Sequence, residues 1–316
     1  MTAYDPKGVI PACFLPMHAD LSIDETSYRS HLRDLAAVDG VDAITTNAHA
    51  SEVHALTLDE QKRVLDITKD ELGDSTAVVA GVQSDGSHLA ADIARMAEDR
   101  GADCLLMFPP NSLGMNAMMR PEMAIAHFET VAAATSLPMV LFMYPKATLG
   151  YPLETLLEIC ERVPNVKAIK DWSNDAKQHE RHIRELRALS RPVKMLTTHS
   201  AWLLPSLVLG CDGILSGAGS VIAALQVALF RAVEAKDLDE ARRGYDRIYP
   251  TTRAFYDEPF VDMHNRMKEA LVYLGRIPEA HVRPPLMKLS DEEIAKIARC
   301  MDEAGLERET VYAKVA

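Results

Sequence analysis

Gly40-Val41-Asp42-Ala43-Ile44, Gly101-Ala102-Asp103-Cys104-Leu105 and Gly210-Cys211-Asp212-Gly213-Ile214 repeat one formula at three places in the chain. In each, a glycine follows an amphipathic stretch and opens an apolar run. Glycine tolerates the left-handed backbone that ends a helix, so the formula marks a seam where a helix hands over to a strand. Working outward from the seams, apolar strands are expected near residues 9–16, 42–47, 76–82, 103–108, 138–144, 166–171, 193–198 and 212–217. Helical patterns fill the gaps at 25–38, 58–71, 88–100, 122–134, 153–162 and 176–189. Eight strands alternating with helices within about 235 residues fit a parallel (β/α)8 TIM barrel better than a doubly wound sheet. No GxGxxG or GxxxxGK sequence follows a strand, so dinucleotide and P-loop readings have little support.

From Val221 the pattern is helical without strands, through residues 266–274 and 290–303. Ser290 and Glu293 have capping-box spacing, which marks a helix start inside this tail. The expected organisation is a barrel domain over residues 1–235 and a helical extension over 236–316 packed on it.

The chain has 316 residues, 48% of them hydrophobic, enough for a large core. Lys and Arg total 34 against 46 Asp and Glu, a net charge of −12 that disfavours nucleic acid or an anionic membrane as partner. Five scattered cysteines without a CxxC pair argue against a disulfide framework or a zinc site and for reduced thiols. The N-terminus lacks the basic region and apolar core of a signal peptide, and no apolar run approaches a membrane span. A cytoplasmic protein is the expectation.

Two runs that read as buried strands each deliver one polar group at the end: Val140-Leu141-Phe142-Met143-Tyr144 and Val166-Lys167-Ala168-Ile169-Lys170. A desolvated lysine amine loses its proton easily and becomes a nucleophile, so the pair points to Schiff-base chemistry on a carbonyl. The alternatives are a lysine that snorkels to water and a tyrosine whose hydroxyl finds a backbone partner. Barrel enzymes carry their chemistry at the C-terminal strand ends. On the expected map Thr45, Thr46, Phe108, Tyr144, Lys170, Thr198, His199 and Ser216 all lie near that rim, which favours the catalytic reading.

At this point the chain resembles the dihydrodipicolinate synthase and N-acetylneuraminate lyase family of class I aldolases over nearly its whole length. The resemblance rests on Tyr144-Pro145, Ile169-Lys170-Asp171-Trp172-Ser173-Asn174, Asp212-Gly213-Ile214-Leu215-Ser216 and Arg283-Pro284-Pro285-Leu286, in that order and spacing. It implies that Lys170 forms an imine with pyruvate or another 2-oxo acid, without any other cofactor and without a metal. The iminium then drains electrons from a carbanion at C3, and Tyr144 relays protons. It implies a homotetramer built as a dimer of dimers.

The family's glycine-threonine-threonine-glycine-glutamate loop, which holds the substrate carboxylate, corresponds here to Ala48-His49-Ala50-Ser51-Glu52. Carboxylate binding is therefore expected to fall on His49, Ala50, Ser51 and backbone N–H groups, with Leu215, Ser216, Trp172 and His199 as further substrate contacts. Phe108-Pro109-Pro110-Asn111 stands where the synthase carries a tyrosine pair, and Lys146-Ala147-Thr148-Leu149 where it has an arginine. These departures favour a catabolic aldolase or dehydratase over the lysine-biosynthetic synthase. The synthase itself stays open, as do a metal-dependent lyase using His49, Glu52, His54 and His199 and a noncatalytic metabolite-binding barrel.

Overall fold

A computed structural model describes residues 4–145, 149–198 and 200–308, apart from the side chains of Ala117 and Ser200. Eight strands form one parallel sheet: β1 (Gly8–Pro11), β2 (Ala43–Thr46), β3 (Ala77–Val82), β4 (Cys104–Met107), β5 (Met139–Met143), β6 (Val166–Asp171), β7 (Lys194–Thr197) and β8 (Gly213–Ser216). From β2 to β8 each pairs with the next, and β8 pairs with β1. Bridges from Val9 to Val41 and from Ala12 to Thr45 bring β1 against β2, so the sheet nearly closes into the expected TIM barrel. All eight strands lie where the sequence placed them. β1 is shorter than the expected 9–16, because Pro11 carries no N–H to extend the ladder. Single bonds from Ala12 N–H to Ser216 O and Cys13 N–H to Thr45 O continue past it.

The strands alternate with α1 (Glu25–Ala36), α2 (Leu58–Leu72), α3 (Ser87–Asp99), α4 (Pro121–Ala132), α5 (Leu153–Arg162), α6 (Ala176–Ala188), α7 (Leu203–Val208) and α8 (Gly219–Glu234). At six residues with an internal proline, α7 is too short to leave a helical period, and the sequence did not reveal it. The seam glycines Gly40, Gly101 and Gly210 have φ of 104°, 78° and 105°, the left-handed backbone the formula requires. The seam aspartates secure neighbouring strands: Asp103 accepts from Val78 N–H and Asp212 from Met195 N–H, each at 2.9 Å.

After the barrel come α9 (Leu238–Phe255), α10 (Met263–Tyr273) and α11 (Asp291–Glu303), the helical C-terminal part. Ser290 caps α11 by accepting from Glu293 N–H at 3.2 Å, while the Glu293 carboxylate takes Arg266 Nε at 2.8 Å. No helix among the described residues is long and apolar enough to cross a membrane. The five cysteines are free and buried.

Two features shape the mouth of the barrel. Gly81 in β3 lets the loop after β2 cross close above it, since a Cβ there would stand 1.8 Å from Asn47 O. Farther along that loop Glu52, itself in the left-handed region at φ 55°, is fully buried. Its carboxylate pairs with Lys268 of α10 and accepts from Arg283 N–H at 2.8 Å, and Lys268 also donates to His281 O at 2.8 Å. The Arg283 guanidinium binds Glu60 and the carbonyls of Ala55 and Leu21. The tail thus ties down the β2 loop from above.

Breaking a buried pair strands the remaining charge and costs about 3–5 kcal/mol. Lys268→Met should therefore lower the free energy of unfolding measured in urea by that much, and Glu52→Gln added to it should recover most of the loss. A single Lys268→Met variant within about 1 kcal/mol of wild type would show that the pair does not hold the loop.

Candidate active site

In the parallel register of β5 and β6, Phe142 stands beside Lys170 and Met143 beside Asp171. Side chains alternate across a strand, so Lys170 and Phe142 face the barrel axis together. Lys170 Nζ lies 3.9 Å from the centroid of the Phe142 ring, and the side chain is only 6% exposed. Burial pulls the amine down to about 7 from its ordinary 10.5, and no carboxylate among the described residues opposes that. At neutral pH a large share of it is the free base, the form that attacks a carbonyl.

The acid next in sequence does not neutralise it. Asp171 points to the opposite side of β6, where its carboxylate meets His179 Nδ1 at 2.5 Å and accepts from Ser173 N–H at 2.7 Å. His179 Nε2 continues to Ser206 Oγ at 2.8 Å, and Asp171, His179 and Ser206 are all shut away from solvent. This network pins the end of β6 from behind and thereby aims Lys170.

Tyr144, just past β5, extends the same face. Its ring packs on Phe142 at 4.5 Å and on Trp172 at 5.6 Å between centroids, and its hydroxyl lies 2.8 Å from His49 Nε2. Burial raises the phenol well above its usual range, with the Tyr151 hydroxyl adding to the effect. His49 sits in a short turn, His49–Ser51, held by Ala48 N–H donating to Ser51 Oγ and Ser51 Oγ donating to Cys13 O. Phe108 packs 4.7 Å from the His49 ring and His264 of α10 6.2 Å from it. Burial holds His49 well below its ordinary value, with His264, Lys170 and His54 adding repulsion, so the ring is neutral at pH 7. His264 is pulled down to about 3, again chiefly by burial.

A small cavity of about 30 Å³ opens here, lined by Ala12, His49, Ala50, Phe142, Lys170, Gly217 and His264, among others. Trp172, Thr198 and Tyr256 line both this cavity and an outer cleft of about 570 Å³ between the barrel rim and α9.

The structure thus brings Lys170, Tyr144, His49, Ala50 and Trp172 together. Ser51 is adjacent, but its hydroxyl is spent on the turn. Leu215 and Ser216 are fully buried in β8, and the rim residue lining the cavity there is Gly217. His199 lies outside the described residues, as do Lys146, Ala147 and Thr148 of the turn after Tyr144. Glu52, wanted by the metal-ligand reading, is taken up by Lys268 and Arg283. Sequence reading missed Phe142 and His264. The two-residue period of β5 could have flagged Phe142, two positions before Tyr144; His264 carries no such signal, because it arrives from the tail.

The family model for the dihydrodipicolinate synthetase family matches residues 5–304. Among curated relatives, the 4-hydroxy-tetrahydrodipicolinate synthase of Haloarcula marismortui is 31% identical over 93% of this chain and 92% of its own. That of Chlorobaculum parvum is 29% identical over 95% and 98%. Among solved structures, the Escherichia coli K12 prophage protein YagE, determined in complex with pyruvate, superposes with a TM-score of 0.87 at 22% identity, covering 95% of this chain and 99% of that one. The dihydrodipicolinate synthase of Aquifex aeolicus gives 0.86 at 21%, covering 96% and 100%. With a buried lysine at the sixth strand end and a family match across almost its whole length, the chain belongs to the dihydrodipicolinate synthetase family of class I, aldolase-type lyases.

Proposed function

We propose that the chain is a Schiff-base-forming lyase, an aldolase or dehydratase, that takes pyruvate or another 2-oxo acid onto Lys170. The observation that carries this reading is a buried amine, brought to about 7 by desolvation and opening into a cavity beside a tyrosine hydroxyl. Lys170 Nζ adds to the ketone carbon, water leaves, and the protonated imine becomes an electron sink for charge developing at C3. Tyr144 moves protons between substrate oxygen and the site. Backbone N–H groups at the start of the His49–Ser51 turn, which have no partner within the turn, are suited to the substrate carboxylate beside Ala50. Trp172 walls the cavity on the side of the outer cleft, where the remainder of the substrate would extend.

The pyruvate complex of YagE supports a 2-oxo acid, and the relatives' shared name supports a competing reading, synthesis of 4-hydroxy-tetrahydrodipicolinate. His49 and Ala50 in the carboxylate loop and Phe108 beside His49 support a catabolic reaction instead. An assay for 4-hydroxy-tetrahydrodipicolinate formation, run beside a screen of hydroxylated 2-oxo acids for cleavage or dehydration, decides between them. We also propose a homotetramer arranged as a dimer of dimers; light scattering that finds only monomer at working concentration overturns it.

Pyruvate followed by borohydride should leave one reduced adduct per chain, at Lys170, and none in Lys170→Met. The free amine is the reacting form, so trapping should slow about tenfold per pH unit below 7 and level off above it. An adduct on another lysine removes the mechanism. Tyr144→Phe should keep the adduct while turnover falls about 10²-fold to 10⁴-fold; an unchanged kcat makes the tyrosine structural.

A further inference from the structure

A phenol whose own ionisation is suppressed by burial cannot act as a base unless it releases its proton as it accepts another. Among the described residues, the hydrogen-bond partner of the Tyr144 hydroxyl is His49, at 2.8 Å through Nε2. We propose that His49 is a positioning residue acting through Tyr144, the acceptor that receives the phenol's proton while Tyr144 takes one from the substrate. This rests on the imine reading of Lys170 and assigns His49 a proton in place of a carboxylate.

Among the described residues the titratable groups facing the ring are Tyr144 from the end of β5, Lys170 from β6, His264 from α10 and His54 from the same loop, and none of them is a carboxylate. With no acid to hold it charged, the ring is the neutral imidazole, which accepts at one nitrogen and donates at the other. A neutral ring offers a substrate carboxylate no charge, but it is the form that can take a proton.

With pyruvate the step balances as follows. The C3–H bond of the iminium breaks and its proton goes to Tyr144 Oη, whose own proton goes to His49 Nε2. The C3–H electron pair becomes the C2–C3 double bond, and the C=N pair settles on Lys170 Nζ. Positive charge leaves Lys170 as it arrives on His49. Lys170 repels the protonated form of His49 while it is charged, so collapse of the iminium removes a cation that opposed protonation of His49. The ring becomes a better base at the moment it must act, and reverts when the enamine is protonated.

Pyruvate alone suffices as the probe. Exchange of its methyl protons in D₂O, followed by NMR, reports the proton step, and borohydride trapping at Lys170 reports imine formation. His49→Ala should keep trapping within about twofold of wild type while exchange falls by about 10²-fold, the usual loss for a proton-transfer group. Millimolar imidazole should restore at least about tenfold of the lost exchange in His49→Ala and none in Tyr144→Phe. His49→Gln, which can hydrogen-bond but not accept the proton, should stay as slow as His49→Ala.

Unchanged exchange in His49→Ala, full exchange in His49→Gln, or failure of imidazole to rescue overturns the assignment. Loss of trapping together with exchange also overturns it and returns the histidine to a binding or structural role. If wild type itself forms no adduct at Lys170, the imine reading fails first and takes this one with it.

Discussion

A buried primary amine with no carboxylate among the described residues to hold its charge governs this site. The drop of Lys170 from 10.5 to about 7 corresponds to about 5 kcal/mol of preference for the neutral amine. A single acid on the inner face of the barrel mouth would cancel much of it, since an opposite charge within a few ångströms favours the ammonium. The acid that chain connectivity places nearest, Asp171, is kept out by strand geometry: successive side chains point to opposite faces, and His179 with the Ser173 N–H engages it there. The in-register neighbour on the inner side is the phenyl ring of Phe142.

Much of this was legible in the sequence because barrels convert linear patterns into positions. The seam glycines and apolar runs located eight strands, and a strand's end in a parallel barrel is also its place on the rim, so Lys170, Tyr144, His49 and Trp172 could be brought together without coordinates. Register was not legible, and it sets Phe142 against the amine. Strand ends are legible only to within a residue: Leu215 and Ser216 close β8, and Gly217 just beyond them lines the cavity. The largest gap was the tail. A helix period shows that α10 has a buried face but not which strand loop that face meets, so His264 and Lys268 had no address in the sequence.

Two polar constellations near β6 show how access divides structure from chemistry. Asp171, His179 and Ser206 align a carboxylate, an imidazole and a hydroxyl within hydrogen-bond distances of one another, an order familiar from nucleophilic enzymes. All three are sealed behind the strand, so no substrate reaches the hydroxyl and the set serves as scaffold. Tyr144 also meets an imidazole, that of His49, but His49 lines a cavity together with an amine.

The hold that Lys268 and the Arg283 backbone exert on Glu52 has a consequence in time. A nascent chain that has released all eight strands still lacks both groups that grip the β2 loop, since they lie some fifty and more residues beyond β8. Domains fold as they emerge during synthesis, so the barrel wall can form while its mouth is unfinished. Only when residue 283 has left the ribosome can Glu52 be buried with its partners. The site is therefore completed near the end of translation, and a prematurely terminated chain would carry the reactive lysine without the loop held over it.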